Sequence, residues 1–538
     1  MPTVRTTVAE TLRHHVSSLY GVLGDANMQY VHDYVALGGA YYGACDERAA
    51  TMMGVGASQL SGKVTAVTVT HGPGFTNTIT SLVEAARGRT PLVLLTGDTP
   101  AVHDYVQVID IAALVAPTGA LFRRVLAPEH TSYDIAAAFR QAEASRLPVV
   151  LDIPIRLIGE DAGNTPEPYE VRFGQAVGPD LEVLDEALGI IASASRPVIV
   201  AGRGAASTAA QTAIRRLGEV IGAPVGTTLM GRDLFREDPW DLGIVGTLSN
   251  EIASETVAAS DCIIAFGASL NKYTSSYGAL QQGRPVIHVD IDSARFGRWT
   301  PLTVGVVGDC GIVAQSMIEQ LEAADHRPST FRSPELAARL AANDPRAEFR
   351  DTSSEEFVDA RTAMIRLNEL LPADRQVVTD VARFAAAPWR YLHVQHPSKF
   401  TQTANFGSIG LGFPAAVGAS TTDTSCLTVA VAGDGGTMMS VAEISTAVRY
   451  ELPMVFVIVN DNCYGAEWNS LQNYGIDPKF SLIEWPSFEE MGRAMGAHAI
   501  TVRKESELDQ VADHVAQGNL PLVVDLRIDP SVDIGSVR

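Results

Sequence analysis

Short apolar runs rich in β-branched residues recur along the chain, at 64–70, 91–96, 148–153, 197–201, 262–266, 286–290, 427–432, 454–459 and 522–526. Runs of this kind, apolar throughout and separated by helix-sized intervals, predict strands buried on both faces of parallel, doubly wound sheets. Two stretches break the rhythm. Residues 159–180, with Gly159, Gly163, Pro166 and Pro168, and residues 323–357, rich in Asp, Ser, Pro and Arg, read as linkers. The predicted fold class is α/β, with three doubly wound parallel-sheet domains at 1–160, 181–322 and 358–538.

A chain of 538 residues exceeds what one hydrophobic core usually serves, in keeping with three domains. With 46% apolar and 19% charged residues, it has the composition of an ordinary globular enzyme. The net charge of −22, with no cluster of Lys and Arg, argues against nucleic acid and anionic membrane surfaces as partners. Cys45, Cys262, Cys310, Cys426 and Cys463 stand singly, without CxxC spacing, so neither a zinc site nor a disulfide framework is expected. The start Met1-Pro2-Thr3-Val4-Arg5 lacks an apolar signal core, and no stretch of about twenty apolar residues occurs anywhere. A cytoplasmic protein is expected.

The chemistry concentrates near the C-terminus. The run 427–432 leads into Gly433-Asp434-Gly435-Gly436, and the run 454–459 delivers Asn460-Asp461-Asn462, with Asp461 27 residues after Asp434. A strand ending in an acidic, glycine-rich turn before a helix offers free backbone N–H groups to a diphosphate, here helped by Gly435, Gly436 and a helix expected over 440–448. The Asp434 carboxylate can hold a hard divalent cation. Asp461 supplies a second oxygen and the main-chain carbonyl of Cys463 a third, which leaves an octahedron suited to Mg²⁺; Asn462 is the alternative to Asp461. Read alone, the glycine-rich turn fits the end of any strand in an α/β protein.

The paired form is more specific. The block 427–465 resembles the signature of thiamine-diphosphate-dependent enzymes, and Phe406-Gly407-Ser408-Ile409-Gly410-Leu411-Gly412-Phe413-Pro414 matches the same family. Tyr20-Gly21-Val22-Leu23-Gly24, Asp46-Glu47-Arg48-Ala49-Ala50 and His71-Gly72-Pro73-Gly74-Phe75-Thr76-Asn77 resemble, in order and spacing, the first-domain motifs of acetolactate synthases and related 2-oxo acid decarboxylases. The three domains then correspond to a pyrimidine-binding, a middle and a diphosphate-binding domain.

The resemblance implies roles. Glu47 aligns with the glutamate that hydrogen-bonds the cofactor's pyrimidine nitrogen, where a carboxyl in an apolar pocket can share a proton. Ile409 occupies the place of the bulky wedge that bends the cofactor, and β-branching makes it stiff; acetolactate synthases usually carry Met there. Many family members have Asn where Asp461 stands, so the site bears one more negative charge. Gly24, Asn77, Tyr464 and Gly465 match cofactor contacts. His71 stands where Ser or Thr is usual, either as a proton-transfer residue or as a structural turn histidine. Gln107 matches a glutamine pointing at the reacting centre, with His103 close in sequence. Glu467 and Trp468 are further candidates for the substrate pocket.

In the middle domain, 223–231 and 243–246 resemble the acetolactate synthase pattern, whose members often hold FAD. The segment 267–273 lacks the Arg-Phe-Asp-Asp-Arg run of flavin-binding members, which makes FAD doubtful. The activity implied is Mg²⁺- and thiamine-diphosphate-dependent decarboxylation or carboligation of small 2-oxo acid or aldehyde substrates. Acetolactate synthase proper and a noncatalytic cofactor-binding homologue are the alternatives. The family arrangement implies a homodimer or homotetramer with active sites at the subunit interface.

Overall fold

The computed structural model describes residues 2–98, 104–163 and 176–532. Among the described residues, eighteen strands form three six-stranded sheets, and every pairing in them is parallel. The first sheet comprises β1 (Ser18–Gly21), β2 (Ala40–Gly43), β3 (Thr65–Thr68), β4 (Leu92–Thr96), β5 (Leu121–Arg124) and β6 (Val149–Asp152), in the order β2-β1-β3-β4-β6-β5. The second comprises β7 (Pro197–Ala201), β8 (Val225–Thr227), β9 (Asp241–Ile244), β10 (Cys262–Phe266), β11 (Val286–Asp290) and β12 (Val304–Val307), ordered β12-β11-β10-β7-β8-β9. The third comprises β13 (Arg375–Thr379), β14 (Phe400–Gln402), β15 (Leu427–Gly433), β16 (Met454–Asn460), β17 (His498–Val502) and β18 (Leu522–Arg527), ordered β14-β13-β15-β16-β18-β17.

Each of the nine apolar runs contains a strand. The nine strands that the pattern did not mark include all six sheet edges, β2, β5, β9, β12, β14 and β17. Edge strands are short and partly solvated, so their apolar signal is weak; β5, Leu-Phe-Arg-Arg, is half-exposed along its length.

The first and third sheets have the same strand order, each strand of the third matching the strand twelve places earlier. His71, just after β3, therefore occupies in the first sheet the place that Asp434, just after β15, occupies in the third. Both lie at the carboxyl ends of strands, where open α/β sheets bind ligands.

The expected linker 323–357 is structured. Ser333 caps a helix, Pro334–Ala341, by accepting the Leu336 amide at 3.2 Å, and Pro345–Glu348 forms a 3-10 turn. Arg332 pins the segment to the middle domain by donating to both carboxylate oxygens of Asp238 at 2.9 Å. The Asp-, Ser- and Pro-rich composition serves caps and turns here rather than a flexible tether. Of the other expected linker, residues 164–175 lie outside the described residues.

Helix Glu47–Ser61 lies directly on helix Gly412–Ser420. The approach depends on two glycines. A methyl on Gly56 would stand 1.9 Å from the Ala415 carbonyl oxygen, and one on Gly418 would stand 1.9 Å from that of Met53. Two buried carboxylates reinforce the junction: Glu84 accepts the amides of Asn405 and Phe406 at 3.1 and 2.6 Å, and Glu443 accepts the Cys45 amide at 2.9 Å. Glu47 and Ile409 thus each sit a few residues from a contact joining the first domain to the third.

Candidate active site

The diphosphate-domain half is built on adjacent strands. β15 pairs with β16 in a register that sets Gly433 beside Val459, so their carboxyl ends bring Asp434 and Asp461 together. Both side chains are buried. Burial and mutual repulsion raise the Asp434 carboxyl above its ordinary range, and burial raises Asp461 despite a nearby arginine. Two buried carboxylates that destabilise one another fit a divalent cation placed against both. Asp434 is oriented by the amides of Gly435 and Cys463, at 2.7 and 3.1 Å.

The Cys463 thiol faces the Ser481 hydroxyl at 3.7 Å, and burial pushes it up to about 11. Mg²⁺ takes oxygen ligands, so the Cys463 backbone carbonyl, and not this buried thiol, is the group suited to it. Among the described residues no group of three or more His, Cys, Asp and Glu side chains could hold a metal; a pair of carboxylates plus a carbonyl is compatible with that.

The helix expected over 440–448 is divided. A short helix, Asp434–Met438, begins at the acidic turn itself, and a second spans Glu443–Arg449. Gly435 and Gly436 are tightly enclosed: a methyl on Gly435 would meet the Tyr464 ring at 2.4 Å, and one on Gly436 would meet Asp380 Oδ2 at 2.6 Å. Asp380 also accepts the Gly410 amide at 2.7 Å and the Thr403 hydroxyl at 3.0 Å, which fixes the turn carrying Ile409.

The first-domain half is a separate constellation. Asp46 caps its helix by accepting the Ala49 amide at 2.7 Å, which places Glu47 in the first turn. Glu47 Oε2 accepts Nδ2 of Asn77 at 2.9 Å. A methyl on Gly74 would come within 3.2 Å of Glu47 Oε1, so that turn closes on the carboxylate, and one on Gly24 would meet Thr70 at 2.6 Å. His71 is fully buried; its Nε2 lies 3.3 Å from the Tyr105 hydroxyl, which donates to Gln107 Oε1 at 3.4 Å. Tyr105 thus links the two side chains that the sequence marked separately. His103 lies outside the described residues.

Among the described residues, the first-domain constellation does not line the cleft that the diphosphate-domain half lines. A cleft of about 1630 Å³ is lined by Ile409, Asp434, Gly435, Gly436, Cys463, Tyr464 and Gly465, and also by Arg383 and Glu467. Glu47, His71, Asn77 and Gln107 are not among its lining residues. The cleft continues past Arg146 of the first domain to Arg203, Arg295 and Arg298 of the middle domain. Burial first, then the neighbouring Arg146, push Arg203 down to about 10. Trp468 is not among the lining residues of the cleft; its ring packs 5.8 Å from the Arg383 guanidinium.

Sequence reasoning missed Arg383, Asp380 and Tyr105. Recognising β13 would have placed Asp380 at a strand's carboxyl end, but its Arg-Gln start conceals it. Arg383, in the turn after β13, donates to Asp461.

Comparison with known proteins agrees with this architecture. Residues 2–114 match the N-terminal TPP binding domain of thiamine pyrophosphate enzymes, residues 184–317 their central domain, and residues 380–526 their C-terminal TPP binding domain. A probable acetolactate synthase large subunit of Methanocaldococcus jannaschii is 28% identical over 90% of this chain and 85% of its own length. The acetolactate synthase isozyme 2 large subunit of Escherichia coli is 28% identical over 96% of this chain and 93% of its own. A sulfoacetaldehyde acetyltransferase of Castellaniella defragrans is 26% identical, covering 90% and 86% respectively.

Proposed function

Because the chain belongs to the thiamine pyrophosphate enzyme family, with that family's three domains in order, we propose that it binds thiamine diphosphate through Mg²⁺ and decarboxylates or ligates 2-oxo acids. The supporting observation is the pair of buried, mutually repelling carboxylates, Asp434 and Asp461, at the carboxyl ends of adjacent strands. Asp434, Asp461 and the Cys463 carbonyl would hold the cation, and the turn of Gly435 and Gly436 would receive the diphosphate, with the Gly436 amide facing it while the Gly435 amide holds Asp434. Bound, the cofactor supplies a carbon nucleophile and an electron sink for decarboxylation.

Glu47 would share a proton with the pyrimidine nitrogen, its carboxylate steered by Asn77. Gly24 and Tyr464 would close on the two ends of the cofactor. Ile409, held by the Gly410–Asp380 hydrogen bond, would wedge between its rings. His71, with Tyr105 and Gln107, would hold or move a proton on the substrate side. Since Glu47 does not line the cleft of its own chain, a complete site would take Glu47 from one copy and Ile409 with Asp434 from a second. The reading includes a homodimer or homotetramer as the assembly and the cytoplasm as its place. FAD stands outside this proposal, because 267–273 lacks the flavin-type run.

Incubation with Mg²⁺, thiamine diphosphate and a panel of 2-oxo acids, followed by mass spectrometry, tests the reading. Acetolactate from pyruvate would assign a synthase, and free aldehyde with carbon dioxide a decarboxylase. No product, together with no acceleration of thiazolium proton exchange into deuterated water, would leave only a cofactor-binding homologue.

A further inference from the structure

Asp461 poses a charge problem. One divalent cation offsets the two carboxylates of Asp434 and Asp461, so the diphosphate of a bound cofactor would lie beside them without a cationic counterpart. The first turn after β13 supplies one. Arg383 is buried, with its side chain 3% exposed, and donates through Nη2 to Oδ2 of Asp461. Its Nη1 donates to the Pro530 carbonyl at 2.7 Å and contacts Asn469 Oδ1 at 3.3 Å. Its Nε is buried without a partner among the described residues, and the side chain lines the cleft next to Asp434 and Gly435.

The local sequence is fitted to this pair. A methyl on Gly465 would stand 2.5 Å from Arg383 Nε and 3.0 Å from Asp461 Oδ2, so only glycine leaves both in place. One carboxylate oxygen of Asp461, Oδ2, is therefore engaged by the guanidinium, while the other, Oδ1, has no side-chain partner among the described residues.

Resting on the cofactor reading above, we propose that Arg383 is a binding residue of the metal–diphosphate site: it neutralises Asp461, presents that carboxylate's second oxygen to the cation, and offers Nε to an anionic oxygen of the diphosphate. The effect of removing it depends on Asp461. Without the guanidinium, Asp461 and the diphosphate repel across a buried site. Without the carboxylate, the guanidinium still faces an anion.

Calorimetric titration of the apo full-length protein with thiamine diphosphate at fixed MgCl₂ reads this directly, without turnover. Arg383→Gln is expected to weaken uptake by about tenfold or more and Asp461→Asn by about threefold, while the double variant regains affinity to within about threefold of Asp461→Asn. Arg383→Lys, which keeps the charge should the glutamine variant fold poorly but lacks the forked donors, is expected to fall between wild type and Arg383→Gln. Losses that simply multiply in the double variant, or a lysine variant as weak as the glutamine one, overturn the proposal. Failure of the wild-type protein to take up the cofactor would instead overturn the functional reading beneath it.

Discussion

Nδ2 of Asn77 donates to Oε2 of Glu47 at 2.9 Å, joining the turn after β3 to the first turn of the helix on which the glutamate sits. The bond aims one oxygen and leaves the other uncommitted to Asn77. Glu47→Gln keeps the shape but has no carboxyl proton to share with the pyrimidine nitrogen, so a loss of about 100-fold or more is expected. Asn77→Ala should cost about tenfold, because only aim is lost. The rate of thiazolium proton exchange in deuterated water, followed by NMR, checks both; equal effects would contradict the assigned roles.

Separation of Glu47 from the cleft containing Asp434 predicts complementation between chains. Glu47→Gln and Asp434→Asn proteins, each inactive, should recover activity when mixed under subunit exchange, because one mixed site then carries neither lesion. The total should approach about a quarter to a half of wild type, depending on how exchange distributes the chains. No recovery, with exchange verified by native mass spectrometry, would place the site within one chain.

Gly56 and Gly189 offer a contrast within helices. Gly56→Ala drives a methyl onto the Ala415 carbonyl oxygen and should destabilise by about 1–3 kcal/mol. Gly189→Ala, in helix Leu181–Ser193 with open space around it, should stabilise by about 0.5–1 kcal/mol through helix propensity. Denaturant melts of the two variants check the opposite signs.

Asp380 makes a pH prediction. Burial raises its carboxyl to about 6, so the folded chain keeps a proton that the unfolded chain releases near pH 4. This contribution to stability is fully present below the unfolded value and is lost as pH rises through 6, by about 1.4 kcal/mol per unit across the window. Asp380→Asn has no proton to lose. The variant should gain on wild type between about pH 4 and 6 and hold a constant difference above; urea unfolding across that range would refute the assignment if the difference stayed flat throughout.

The flavin question has a spectroscopic answer. The purified protein is expected to show no visible flavin absorbance, because 267–273 lacks the flavin-type run. A stoichiometric yellow chromophore released on denaturation would reverse that expectation and assign the arginine-lined end of the cleft, past Arg203 and Arg298, to its phosphates.

The sequence by itself determined the parallel α/β class, nine strand positions, the acidic turn at Asp434 and its partner at Asp461, because each is written in local terms: apolar runs, turn glycines and the spacing between two strand ends. It could not show that 323–357 would cap and pack, since the same polar residues serve tethers and helix ends alike. Only the tertiary structure decided that the first and third sheets share one strand order, that Gly56 meets Ala415, that Tyr105 links His71 to Gln107, and that Arg383 answers Asp461 across 78 residues. Those relations depend on which strands lie side by side and how closely helices approach. Such choices are made by packing and charge compensation over long sequence separations, and no local periodicity records them.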